Sequence, residues 1–208
     1  MSSSLVGRGA LLVVGCIVLG VGVAMLLTAD LGSDGFSTMV NGVSIRLDVP
    51  FVVANAGVSL AFLLLAAARG LRPGIGTLTQ VVVVGFVVSW VLALLDTPGT
   101  VLGQALLLAA AFPVLALGIS AYLGAHLGAG PAESAGLAWD PPIPFRWSYS
   151  AVQLFGAIVG WLLGATLGVG TLAVVVLLGP AVDLTSRLLR LDVHQGPEPT
   201  QSAAPPVS

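Results

Sequence analysis

One apolar stretch occurs twice in this chain. Residues 19–32 read LGVGVAMLLTADLG, and residues 115–128 read LALGISAYLGAHLG. At one constant offset, Leu19, Gly22, Leu27, Ala29, Leu31 and Gly32 recur as Leu115, Gly118, Leu123, Ala125, Leu127 and Gly128. Each copy is an apolar run that closes in a small-residue break, with a polar residue inside it (Asp30 or His126). A repeat at fixed offset constrains a fold strongly, because equivalent units must find equivalent surroundings.

The repeat extends further. Gly74-Ile75-Gly76-Thr77-Leu78 recurs as Gly168-Val169-Gly170-Thr171-Leu172, and Val81, Val82, Gly85 and Val88 recur as Val175, Val176, Gly179 and Val182. Between these blocks Asn55 aligns with Gln153. The apolar runs in each copy set the solvent. The chain is 57% apolar and 8% charged, against about 25% charged residues in a soluble domain. Six stretches approach the roughly 20 apolar residues that cross a bilayer as a helix: about 10–28, 50–68, 75–95, 101–124, 147–163 and 169–188. The expected fold is all-α and polytopic, with six transmembrane helices. Repeat 1 covers about 10–96 and repeat 2 about 101–190, within a single transmembrane domain over 1–192. Three spans per repeat make the second enter from the opposite side, an inverted topology used by many secondary transporters. The alternative is a duplication that serves only to build a stable bundle.

Arginine sets the expected orientation. No lysine is present, and with a cytoplasmic N-terminus Arg8, Arg69, Arg72, Arg146, Arg187 and Arg190 fall inside, leaving Arg46 outside. Val13-Val14-Gly15-Cys16 resembles a lipoprotein box, but the apolar run continues past it, so an uncleaved first span is expected. Residues 193–208, rich in Pro, Ser and Ala, are expected to be a disordered cytoplasmic tail.

The breaks are the first candidate site. Asp34 aligns with Gly130 at a helix cap, and Pro131 and Glu133 suit the first turn of a new helix. A span, a break and a short second helix in each half would aim free N–H groups at a substrate. Ordinary interfacial loops are the alternative. Asn55, Gln80 and Gln153 lie within apolar runs. Asp183 follows Gly179-Pro180, which should kink the helix and free carbonyls. Polar groups at that depth face a cavity or a partner. Asn55 and Gln153 would otherwise be interhelical glue, and Asp183 would pair with Arg187 one turn on. The candidate substrate-binding set is Asp30, Asp34, Asn55, His126, Glu133, Gln153 and Asp183. Gly156, Gly160, Gly164 and Gly168 form a ladder on one helix face, read as intramolecular packing, a sliding surface or a homodimer seam.

No His/Cys/Asp/Glu spacing suggests a metal, no nucleophile elbow or phosphate loop is present, and no basic patch suggests nucleic acid. No catalytic residue and no cofactor is expected. A small secondary transporter or exporter of an undefined small molecule, embedded in the lipid bilayer, is the first reading. A non-transporting scaffold that organises a partner complex is the second.

Ala29-Asp30-Leu31-Gly32, Leu127-Gly128-Ala129-Gly130-Pro131, Arg72-Pro73-Gly74-Ile75-Gly76-Thr77 and Trp161-Leu162-Leu163-Gly164 resemble the YczE branch of the YczE/YyaS/YitT bacterial membrane proteins. The likeness covers nearly the whole chain except the tail. That family usually has a proline and an aspartate where this chain has Gly35 and Ser37, and often a glutamate where it has Gln153. The resemblance implies a multi-pass protein of the bacterial cell membrane with both termini cytoplasmic. Export has been suggested for some members.

Overall fold

The computed structural model describes residues 5–139 and 142–191. The expected tail, 193–208, lies outside them. The described residues form eight helices and no strand: α1 Leu5–Thr28, α2 Gly35–Leu47, α3 Phe51–Ala68, α4 Ile75–Leu92, α5 Val101–Gly124, α6 Pro131–Leu137, α7 Phe145–Leu162 and α8 Val169–Leu189.

Five of these are long and apolar enough to cross a membrane: α1, α3, α4, α5 and α8. The six-span expectation differs at α7. Its first half carries Arg146, Ser148, Tyr149, Ser150 and Gln153, so its 18 residues are less apolar than those of the others. Large apolar side chains nonetheless line the outside of the assembly. On α4, Ile75, Leu78, Val82, Phe86 and Trp90 are exposed, and on α8 Val169, Leu172, Val175, Val176 and Leu184 are. Water does not tolerate apolar surfaces of that extent; lipid does. The protein is an apolar helical membrane protein.

The two copies of the repeated stretch form the centre. α1 and α5 run antiparallel with their backbones in close approach. Gly15 abuts the Ala121–Tyr122 backbone, Gly22 abuts Leu115, and Gly118 abuts Leu19. A Cβ at any of the three would have to displace its neighbour, so glycine is required for the approach. Leu12, Cys16, Leu19, Val23, Leu26, Leu115 and Tyr122 are buried in the core that results.

The glycine ladder of α7 meets α2. Gly35 lies on the Gln153 backbone, Gly156 on the Gly35 carbonyl, Gly160 on Thr38, and Gly42 on Gly160. Contact positions rise together along both helices, so α2 and α7 run parallel. This face is intramolecular packing, filled by α2 rather than open to a second copy. Gln153 is midway along α7, so α2 begins halfway along a full-length helix.

α6 is the counterpart of α2 and packs on α3 and α7. Its far end is pinned beside the C-terminus of α3. Arg69 Nε donates to the Ala138 carbonyl at 3.3 Å, and its guanidinium lies 4.3 Å from the centroid of the Trp139 ring. Seven residues rise only about 10 Å, so α6 also begins well inside the bundle. Within α8, Val174–Leu178 is a π-turn placed just before Gly179-Pro180. Pro180 has no N–H to give to Val176, and the widened turn absorbs the missing bond.

Candidate functional site

The two breaks have the same local form. After α1, Asp30 and Gly32 adopt positive φ of 53° and 97°; after α5, His126 and Gly128 adopt 50° and 135°. Such angles strain a side chain, yet the same two positions take them in both copies. In the Asp30 joint, the Gly170 N–H donates to the Leu31 carbonyl at 2.7 Å; in the His126 joint, the Gly76 N–H donates to the Leu127 carbonyl at 2.8 Å. The Gly-x-Gly-Thr starts of α4 and α8 therefore each lock a break belonging to the other copy. Glycine is needed there because the break backbone fills the place of a Cβ at Gly76 and Gly170. The sequence shows both motifs but not that they join.

Beyond each joint the chain turns back into the bundle and starts a short helix. Asp34 caps α2, its Oδ2 accepting from the Ser37 N–H at 3.0 Å. Gly130 caps α6, with Pro131 at the first helical position and Glu133 in the first turn. Thr38 Oγ1 donates to the Asp34 carbonyl at 2.7 Å and Ser134 Oγ to the Ala129 carbonyl at 3.3 Å, so a hydroxyl at the same position of each short helix bonds back to the chain before it.

These two starts share one polar centre. Asp34 and Glu133 lie within electrostatic reach of each other. Tyr122 donates to Glu133 Oε1 at 3.1 Å. Gln153 Nε2 donates to the Tyr149 hydroxyl at 2.7 Å while its Oε1 accepts the Phe36 N–H at 2.9 Å. Tyr149 lies near both carboxylates. Gln80 crowds Gly130 beside the Glu133 carboxylate, and its Oε1 is buried without a hydrogen-bond partner. Among the described residues the one ion pair is Arg187–Asp183, away from Asp34 and Glu133.

Of the seven candidates, Asp34, Glu133 and Gln153 meet in this centre. Asp30 instead accepts a hydrogen bond from Thr166 in the α7–α8 turn. It lines a cleft of about 10 Å³ with Ser33, Thr38, Asn41 and Thr166, room for about one water. His126 is exposed, and its carbonyl accepts from Arg8. Asn55 is buried and donates to the Val81 carbonyl at 2.8 Å, holding α3 to α4. Asp183 bonds Arg187 at 2.7 Å on an exposed surface. Sequence reasoning left Gln80, Tyr122 and Tyr149 out of the set. The signal was the pair of tyrosines, the two that the chain contains, both within helices that supply the centre. Among the described residues, no group of three or more His, Cys, Asp or Glu could hold a metal.

An uncharacterized protein of Haemophilus influenzae is 24% identical over 167 residues, covering 79% of this chain and 77% of that protein. No solved structure matches. The family model for DUF6198, a family of unknown function, matches residues 6–187, and the chain belongs to that family.

Proposed function

We propose that this protein is a small secondary transporter built from two inverted three-helix repeats, each with a short re-entrant helix. The observation that carries the reading is the meeting of two half-helix starts at one polar centre holding Asp34 and Glu133. Interfacial loops would lie at opposite surfaces, about a bilayer core apart; these ends lie within electrostatic reach. The antiparallel α1 and α5, and the matched joints, support inversion. α7 is then the sixth span, bringing Tyr149 and Gln153 to the centre.

Carboxylates inside a membrane mark ion and proton pathways. In this reading Asp34 and Glu133 take a proton or a cationic group of the substrate, and Tyr122, Tyr149, Gln80 and Gln153 position it. The N–H ends of the short helices supply further donors. No chemical transformation is proposed. The likeness to the YczE branch implies a multi-pass bacterial cell-membrane protein, and export has been suggested for some of those relatives. A scaffold role would leave the half-buried carboxylates without a task.

The test is purified protein in liposomes loaded with a pH-sensitive dye, challenged with panels of amino acids, sugars and organic cations. Substrate-dependent proton movement is expected. Its absence across the panels, with folded protein, would favour the scaffold.

Orientation has a separate test. Cysteines placed one at a time at Arg72, Asp96 and Arg187 are expected to react with an impermeant reagent in intact cells only at Asp96. Labelling at Arg72 or Arg187 would overturn the six-span arrangement with both ends inside.

A further inference from the structure

The two joints match in backbone but not in strength. At the His126 joint, Arg8 Nε donates to the Ala125 carbonyl at 2.8 Å and a second guanidinium nitrogen reaches His126. Thr77 Oγ1 donates to the Ala129 carbonyl at 2.6 Å. The Asp30 joint has the equivalent threonine, Thr171, but its hydroxyl is buried without a partner. Among the described residues, its one side-chain tie to the opposite copy is Thr166 to Asp30, between exposed residues. The small polar cleft opens at this joint. The helix that locks it, α8, carries the π-turn at Val174–Leu178, one turn beyond the docking residues. The helix that locks the other joint, α4, is regular α-helix from Ile75 to Leu92.

We propose that the Asp30 joint is a gate: residues 168–173 swing away from Leu31-Gly32 on a hinge at 174–180, with the Thr166–Asp30 hydrogen bond as the latch, while the His126 joint stays shut. Three independent features agree on the same side: an absent hydrogen bond, a cleft and a helix defect. A buried hydroxyl without a partner loses stabilisation that water would restore on opening. π-turns insert where a helix must yield. As a gate, the joint presupposes the transporter reading; as a local opening, it is measurable with no substrate present.

The measurement is thiol labelling of purified full-length protein, with Cys16 replaced by alanine. Ser33→Cys reports on the Asp30 joint, where Ser33 is 2% exposed. Ala129→Cys reports on the equivalent position of the other joint. Thr166→Ala should raise labelling of the Ser33 reporter about fivefold, the effect of one modest interaction. Thr166→Ser, which keeps the hydroxyl, should restore the parent rate. Pro180→Ala, which lets α8 close a regular turn, should slow it. None of the three should change the Ala129 reporter. Equal responses at both reporters, or an unchanged Ser33 rate in both Thr166→Ala and Pro180→Ala, would overturn the gate. Because labelling needs no substrate, it succeeds or fails separately from the liposome assay.

Discussion

Gly160→Leu is expected to leave no folded protein in detergent. A Cβ at this position would lie against the Thr38 carbonyl and 2.7 Å from the Met39 nitrogen. Those atoms are helix backbone and cannot rotate aside as a side chain can. Overpacking costs about 1–3 kcal/mol where neighbours relax, and here two helices must separate. A protein held by about 5–15 kcal/mol in total loses much of its margin, along with the start of α2 that the crossing positions. Gly57→Leu is the control, because nothing lies within 4 Å of a Cβ there. Size-exclusion profile and thermal melting distinguish the two. A parent-like melting temperature for Gly160→Leu would mean that α2 and α7 do not cross at this residue.

The second large effect is functional. Asp34→Asn combined with Glu133→Gln removes both carboxylate charges while keeping the hydrogen bonds. Asparagine is as good an N-cap as aspartate, so α2 keeps its start. Glutamine still accepts from Tyr122. The fold is therefore expected to survive, helped by the removal of charges costly at membrane depth. Substrate-dependent proton flux in liposomes is expected to fall by tenfold or more, about 1.4 kcal/mol or more on the limiting step. Asp183→Asn, which removes an exposed carboxylate paired with Arg187, should leave flux unchanged. Full flux in the double variant would detach the polar centre from transport.

Much of the helix layout was legible because apolar run length is a direct readout of helix and membrane span. The breaks were legible from the duplicated Leu-Gly ending, and the cap at Asp34 and the start at Pro131 from local helix-end chemistry. Gly156 and Gly160 announced a close approach but not its partner, since a small-residue face says what can come near and not what does. Asn55 and Gln153 aligned in sequence yet ended in different roles. Asn55 bonds α4, while Gln153 binds the first turn of α2 through Phe36. The alignment reports descent and depth, and the hydrogen bond depends on which helix happens to face the residue. Tyr122 was hidden because a tyrosine near a helix end reads as an interfacial anchor. Only the return of the chain after Gly128 brings Glu133 back to it.

The crossing of α2 and α7 carries a mechanical consequence. With Gly35, Gly42, Gly156 and Gly160 bringing bare backbone against backbone, no side chain is available there to slide or repack. The two helices are welded into one lever, although one comes from each copy of the repeat. A boundary drawn at the duplication, near residue 100, therefore does not separate the packed bodies. Cutting the gene there and co-expressing the pieces would divide the lever between two polypeptides, each lacking the surface on which its own short helix is seated. The duplicated unit is the unit of inheritance, and the exchanged pair is the unit of packing.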